Sequence, residues 1–206
     1  GILFGYLSAV KAGGWLDTSL TVLAVAGISM PVFWLAAILL NYLSYKTGIF
    51  PAGGYVEITE SPLEWASHLI LPWITLAVLY VGFYSRVLRS NMLDAMNEDY
   101  VRAARAKGLS ERRVMRRHVL RNSLIPIITL FGLDFGALLG GAILIEAIFN
   151  LNGIGQYGYE SLRNFDLPPI MAITLFGAFF IVLLNALVDI AYAYLDPRIR
   201  LGTSAT

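Results

Sequence analysis

Residues Glu98 to Pro126 read EDYVRAARAKGLSERRVMRRHVLRNSLIP. The stretch is rich in helix formers, strongly basic, and set between two hydrophobic runs. Arg86 to Arg121 holds ten of the fifteen Lys and Arg residues of the 206-residue chain. The remainder is mostly apolar. The chain is 57% hydrophobic and only 14% charged, where soluble domains carry about 25% charged residues. Mean hydropathy is +0.67. One charged block inside so much apolar chain is the pattern of an all-α, polytopic transmembrane helical bundle. No alternation of polar and apolar residues suggests a transmembrane barrel. The net charge of +1 says little; its distribution carries the information.

Working outward from the block, four apolar runs read as spans. They are Thr18–Tyr45, without a charge in 28 residues, then about Ala66–Ser85, about Ser123–Phe149 with Asp134 inside it, and about Pro169–Ala191. Each is long enough, at about 1.5 Å rise per residue, to cross about 30 Å of hydrocarbon. Gly1–Val10 is apolar but too short to span alone, and reads as the tail of a helix that begins upstream. Lys11, the ten cations of Arg86–Arg121, and Arg198 and Arg200 fall on one side of the resulting topology. Lys46 and Arg163 fall on the other. Thirteen against two places Lys11–Asp17, Arg86–Asn122 and the tail from Asp196 in the cytoplasm, and Lys46–Glu64 and Asn150–Pro168 outside.

Several chemistries are excluded. The chain has no cysteine, so disulfides, Cys-ligated zinc and Cys nucleophiles are absent. His68 and His118 are far apart in sequence and form no metal-ligand pair, and no metal site is expected. No G-x-x-x-x-G-K-[ST] loop exists to hold ATP. Neither an H-E-x-x-H motif nor a convergent Ser, His and Asp set supports an intramembrane enzyme, so no catalytic residue is expected.

Within the spans, Pro31 cannot donate to the carbonyl of Gly27 and its ring crowds that carbonyl, which predicts a kink. A structural kink and a pore-lining bend are both open readings. Gly132, Gly136 and Gly140 repeat every four residues and form a smooth stripe for close helix packing, within the chain or against a partner subunit. Asp134 lies where an ionised carboxylate is costly, and should face water, a partner or the bundle interior. Pore lining and a buried hydrogen-bonded acid are the alternatives. Glu146 sits near the outer interface, suited to gating or to bracing the outer loop. Asp189 lies near the cytoplasmic end, where an Arg of the basic block can pair with it.

The block itself predicts helix, turn, helix. Asn97 is placed to cap a short helix from Glu98, and Glu98 and Asp99 suit its first turn. Tyr100, Ala103, Ala104 and Lys107 recur at helical spacing. Gly108 is suited to end the helix in a left-handed conformation. Ser110 then caps a second helix, with Glu111 in its first turn. A basic loop lying on anionic lipid is one reading. Nucleic acid is disfavoured, since topology explains the charge. The small residues Ala103, Ala104 and Gly108 favour a third, docking of a cytoplasmic partner.

The run Arg102-Ala103-Ala104 followed by Gly108 resembles the EAA motif of permease subunits of binding-protein-dependent ABC importers. EDYVRAARAKGLSERRV and HVLRNSLIP resemble the dipeptide, oligopeptide and nickel permease branch more closely. Further matching pieces are Gly27–Trp34, Pro51–Tyr55, Glu146–Phe149, Gly153–Gly155, Asp166–Pro168 and Asp196–Arg200, in order along nearly the whole chain. Arg102 stands where the general motif has Glu, and His118 and Arg121 where it has Ile and Pro; these departures are typical of the peptide branch.

The resemblance implies a single permease domain of the type I kind over residues 1–206, lacking one N-terminal span and an outer region. It implies a coupling segment at 98–121. Glu98, Asp99, Tyr100, Ala103, Ala104, Gly108 and Leu109 would meet a cytoplasmic ATPase, and Pro31, Asp134 and Glu146 are pore or gate candidates. It also implies a second permease subunit, an extracytoplasmic substrate-binding protein, and the cytoplasmic (inner) membrane of a bacterium or archaeon. Surrounding membrane lipid completes the partner set. The chain would carry no cofactor of its own, ATP being bound by the partner. The implied activity is ATP-driven import of peptides or similar small solutes. A channel-like or structural subunit without ATP coupling is the alternative.

Overall fold

Every regular element in the computed structural model is helical among residues 1–195, the ones it describes. The tail from Asp196, with its expected cytoplasmic cations, lies outside them. Eleven helices follow in order: α1 (Ile2–Val10), α2 (Trp15–Ser29), α3 (Val32–Leu39), α4 (Pro62–Met96), α5 (Asp99–Ala106), α6 (Glu111–Val114), α7 (Leu120–Ser123), α8 (Ile125–Leu139), α9 (Ile143–Phe149), α10 (Ile154–Arg163) and α11 (Leu167–Leu195). Wide π-type turns continue α3 over Leu40–Lys46 and join α6 to α7 over Met115–Val119.

Two of the four expected spans are single helices long and apolar enough to cross a bilayer, Pro62–Met96 and the Leu167–Val188 part of α11. The other two are broken. Thr18–Tyr45 is not one kinked helix: α2 and the α3 segment meet at 96°. Pro31 causes the break. It lacks the N–H that would continue α2 and pushes Met30 out of the helical region. It sits at φ −59°, ψ 130° as the residue capping α3, where its carbonyl accepts from Trp34 and Leu35. Ser123–Phe149 is also interrupted, at Gly140–Ala142, between α8 and α9. Asp134 does not interrupt it. Arg86–Asn122 is less a loop than expected, because α4 runs on to Met96 and carries Arg86 and Arg89 in its last turns.

Chain contacts group into two compact units. Among the described residues the first comprises 1–22, 84–137 and 179–195. Its core joins Ala9 of α1, Leu88 and Met92 of α4, Val101 and Ala104 of α5, and Val114, Met115 and Val119 of the basic helix to Ile127 of α8. Leu88, Met92, Val101, Val114 and Val119 are fully buried, each worth roughly 1.5–3 kcal/mol of transfer free energy. The amphipathic α5 is therefore built into this unit. Gly132 and Gly136 are buried on α8. A methyl on Gly136 would stand 3.0 Å from the Ile181 Cα, and one on Gly132 would collide with the Val188 side chain. The glycine stripe thus packs α8 on α11 inside the chain.

The second unit comprises residues 23–83 and 138–178. Ala36, Leu71, Ile145 and Phe149 form its core, with Val32, Leu39 and Ile148 around them. The Phe149 carbonyl accepts the Gly54 N–H at 2.9 Å, and His68 Nδ1 lies 3.1 and 3.2 Å from the carbonyls of Gly53 and Gly54. Carbonyls only accept, so Nδ1 carries the proton. Gly53 touches the Phe149 carbonyl so closely that any side chain would collide with it.

Candidate functional site

The basic block folds into the helix, turn and helix its sequence predicts, with different caps. Glu98 precedes α5 in an extended conformation and makes no side-chain cap. Asn97 does not cap α5. Its amide donates to the Leu93 carbonyl at 3.0 Å, closing the end of α4 instead. Ser110 occupies the capping position of α6, but its hydroxyl makes no capping bond. The C-terminus of α5 is closed by backbone alone. Gly108 N–H donates to Arg105 O at 2.9 Å and Leu109 N–H to Ala104 O at 3.4 Å, the paired bonds of a Schellman motif. Gly108 has φ +76°, the left-handed region that favours glycine.

An exposed ion pair spans the turn. Arg105 Nη2 and Nε reach the two Glu111 oxygens at 2.7 and 3.1 Å, a bidentate arrangement. Both residues precede the apolar part of α8. The guanidinium holds the Glu111 carboxyl below the usual glutamate range, and the carboxylate raises Arg105.

The face of α5 differs from the expected one. Ala104 is only 5% exposed and packs into the core beside Val101. Glu98, Asp99, Tyr100, Ala103 and Gly108 are exposed, and Leu109 is half-buried against the core. Tyr100, Ala103 and Gly108 are thus available to a partner, whereas Ala104 and Leu109 anchor the segment.

The same unit holds a buried polar cluster that sequence reasoning missed. Asp17, in the first turn of α2, is 4% exposed. Arg89 of α4 grips it with Nε and Nη2 at 2.7 and 2.8 Å. The Ser8 hydroxyl and the Gly13 N–H also donate to Asp17. The carboxylate is surrounded by donors, so its burial is compensated. The available signal was an acid immediately before a charge-free run, together with an arginine just past the apolar run of α4.

Asp134 accepts a hydrogen bond from the Tyr84 hydroxyl at 2.5 Å and is half-buried. The side chain of Asp189 lies outside the described residues.

Glu146 is a brace. Its Oε1 accepts the Ala142 N–H at 2.8 Å and its Oε2 accepts the Gln156 N–H at 2.8 Å. Its own N–H donates back to Ala142 O at 2.9 Å. One carboxylate therefore caps its own helix and, from a distance, the first turn of α10, where a negative charge also suits the helix dipole. A methyl on Gly153 would stand 2.5 Å from Oε2, so the carboxylate reaches α10 only over a glycine. Among the described residues no group of three or more acidic or histidine side chains could hold a metal ion.

The family model described as binding-protein-dependent transport system inner membrane component matches residues 1–201. The chain is 42% identical over 201 residues to the oligopeptide transport system permease protein AppB of Bacillus subtilis (strain 168), covering 97% of this chain and 64% of that protein. It is 39% identical over 220 residues to the di/tripeptide transport system permease protein DppB of Pseudomonas aeruginosa (strain UCBPP-PA14), covering 97% and 66%. The dipeptide transport system permease protein DppB of Bacillus subtilis (strain 168) is 39% identical over 201 residues, covering 98% and 63%. The chain thus spans just under two thirds of the length of these relatives.

Proposed function

The chain belongs to the family of binding-protein-dependent transport system inner membrane components, and from that premise we propose that it forms half of a translocation pore for peptides or similar small solutes. In this reading α5 receives force from a cytoplasmic ATPase that binds and hydrolyses ATP. A second permease subunit completes the pore, and an extracytoplasmic binding protein delivers the solute to the outer loops. The peptide assignment draws on relatives named for di-, tri- and oligopeptides.

One observation carries the coupling role. The two sides of α5 differ: Tyr100 and Ala103 are exposed, while Val101 and Ala104 sit in one core with Leu88 and Met92 of α4. A close-packed core transmits displacement, since it has few voids in which to absorb it. A push on Tyr100 and Ala103 is therefore delivered to α4, which continues into the membrane.

Ala103→Cys and Ala104→Cys separate this reading from a mere surface helix. With the ATPase co-expressed and a cysteine engineered on it, Ala103→Cys and Tyr100→Cys should crosslink, and the buried Ala104→Cys should not. ATP-dependent uptake of a labelled peptide panel by proteoliposomes containing the whole assembly tests the transport claim. Absence of crosslinks at every exposed position of α5 defeats the coupling role. Solute flux that ignores ATP points instead to a channel.

A further inference from the structure

The arginines that follow α5 are not consumed by the coupling face. Arg112, Arg113, Arg116 and Arg117 are exposed and make no ion pair among the described residues, and the nearby Glu111 is held by Arg105. With Ser110 they line a basic pocket of about 360 Å³. Arg112 and Arg116 also line a second cleft of about 600 Å³, whose other walls are Ile2, Leu3 and Tyr6 of α1 and Leu120 of α7. All of these residues belong to the first compact unit.

The two hollows share two arginines and differ in chemistry. One is cationic, and the other is walled mostly by apolar side chains. A soluble phosphate compound would engage the arginines and leave the apolar cleft empty. The helix that carries the arginines leads through Leu120–Ser123 directly into the apolar α8, so the site lies at the bilayer surface on the side with the excess of basic residues. That side faces the anionic cytoplasmic leaflet. We propose that this composite groove binds an anionic phospholipid, its phosphate between the Arg112/Arg116 and Arg113/Arg117 pairs and one acyl chain along Ile2, Leu3 and Leu120. The proposal rests on membrane topology and the two clefts, and is independent of the role of α5.

The test uses the full chain purified into phosphatidylcholine nanodiscs containing a minor fraction of phosphatidylglycerol, with retained lipid counted by native mass spectrometry. The chain should retain phosphatidylglycerol selectively. The double variants R112Q/R116Q and R113Q/R117Q should each lower its apparent affinity roughly thirtyfold, about fivefold per arginine. Leu3→Asn should weaken phosphatidylglycerol retention with all four arginines in place. Equal retention of both lipids, or unchanged selectivity in both double variants, overturns the proposal. So does full displacement by millimolar glycerol 3-phosphate, which would mark a soluble-phosphate site. Loss of ATPase association in the arginine variants with lipid retention intact would give the arginines to a protein partner and also overturn it.

Discussion

Glu146 Oε2 accepts the main-chain N–H of Gln156 at 2.8 Å, ten residues along the chain, and so joins α9 to the first turn of α10. Glu146→Gln keeps the shape but replaces one accepting oxygen with an amide that cannot accept either N–H. One charge-assisted bond is lost and one N–H is left unpaired, a cost of about 1.5–3 kcal/mol. Amide exchange at 154–157 should quicken by roughly tenfold or more, while exchange in α5 stays unchanged. Unaltered exchange at Gln156 would show that α10 is held by other contacts.

A second relationship is legible only in three dimensions. Asp17 and Arg89 are 72 residues apart in sequence and bonded through two nitrogens. Either Asp17→Asn or Arg89→Gln leaves a mostly buried charge without its partner, which costs about 3 kcal/mol, the low end for buried pairs because Arg89 keeps 30% side-chain exposure. The double variant should be less unstable than the two single losses added together. Thermal unfolding in one detergent checks all three. Strict additivity would mean that the bond contributes nothing to the fold.

The contrast between these cases explains what the sequence could convey. Apolar run length identifies membrane helices because it is a composition effect. Gly108 was readable as a helix stop because a positive φ narrows residue choice. The size of the bend at Pro31 was not readable: a proline removes one bond, but the surroundings decide whether the helix kinks or breaks. Nor could periodicity distinguish the two sides of α5. Ala104 is small enough for either a docking face or a tight core, and Leu88 and Met92, which decide the matter, come from a different helix. Asp17 and Arg89 were invisible as a pair because nothing local couples them.

The Arg105–Glu111 bridge makes the turn after α5 weakly acid-sensitive. Glu111 has a lowered folded-state pKa, so its contribution is present above the ordinary glutamate value, about 4.3. It is lost as pH falls through the lowered value. Arg105, raised by its partner, stays charged throughout and adds no acid-side change. An exposed pair is worth at most about 1 kcal/mol. After correction for intrinsic exchange, protection of the Gly108 and Leu109 amides should fall by less than about fivefold on acidification. Glu111→Gln should remove that dependence and lower protection at neutral pH. A dependence that persists in Glu111→Gln would assign it to another group.

Gly108 separates backbone conformation from crowding. A Cβ at this position would meet nothing within 4 Å, yet φ is +76°. Any penalty therefore comes from the left-handed conformation, roughly 1–2 kcal/mol for an ordinary residue and less for Asn. Gly108→Asn should be tolerated, Gly108→Ala impaired, and the β-branched Gly108→Val worst. Membrane insertion should be equal in all three, because the turn lies outside the apolar helices. ATP-driven uptake in proteoliposomes should fall in the order Asn, Ala, Val, in step with faster exchange at Leu109, whose N–H closes the turn. If Val and Asn transported equally well, the left-handed turn would have no part in coupling. If Asn failed as badly as Val, the bare backbone of Gly108 would itself be the contact surface, and the loss would appear as a missing ATPase crosslink at Ala103→Cys with Leu109 exchange unchanged.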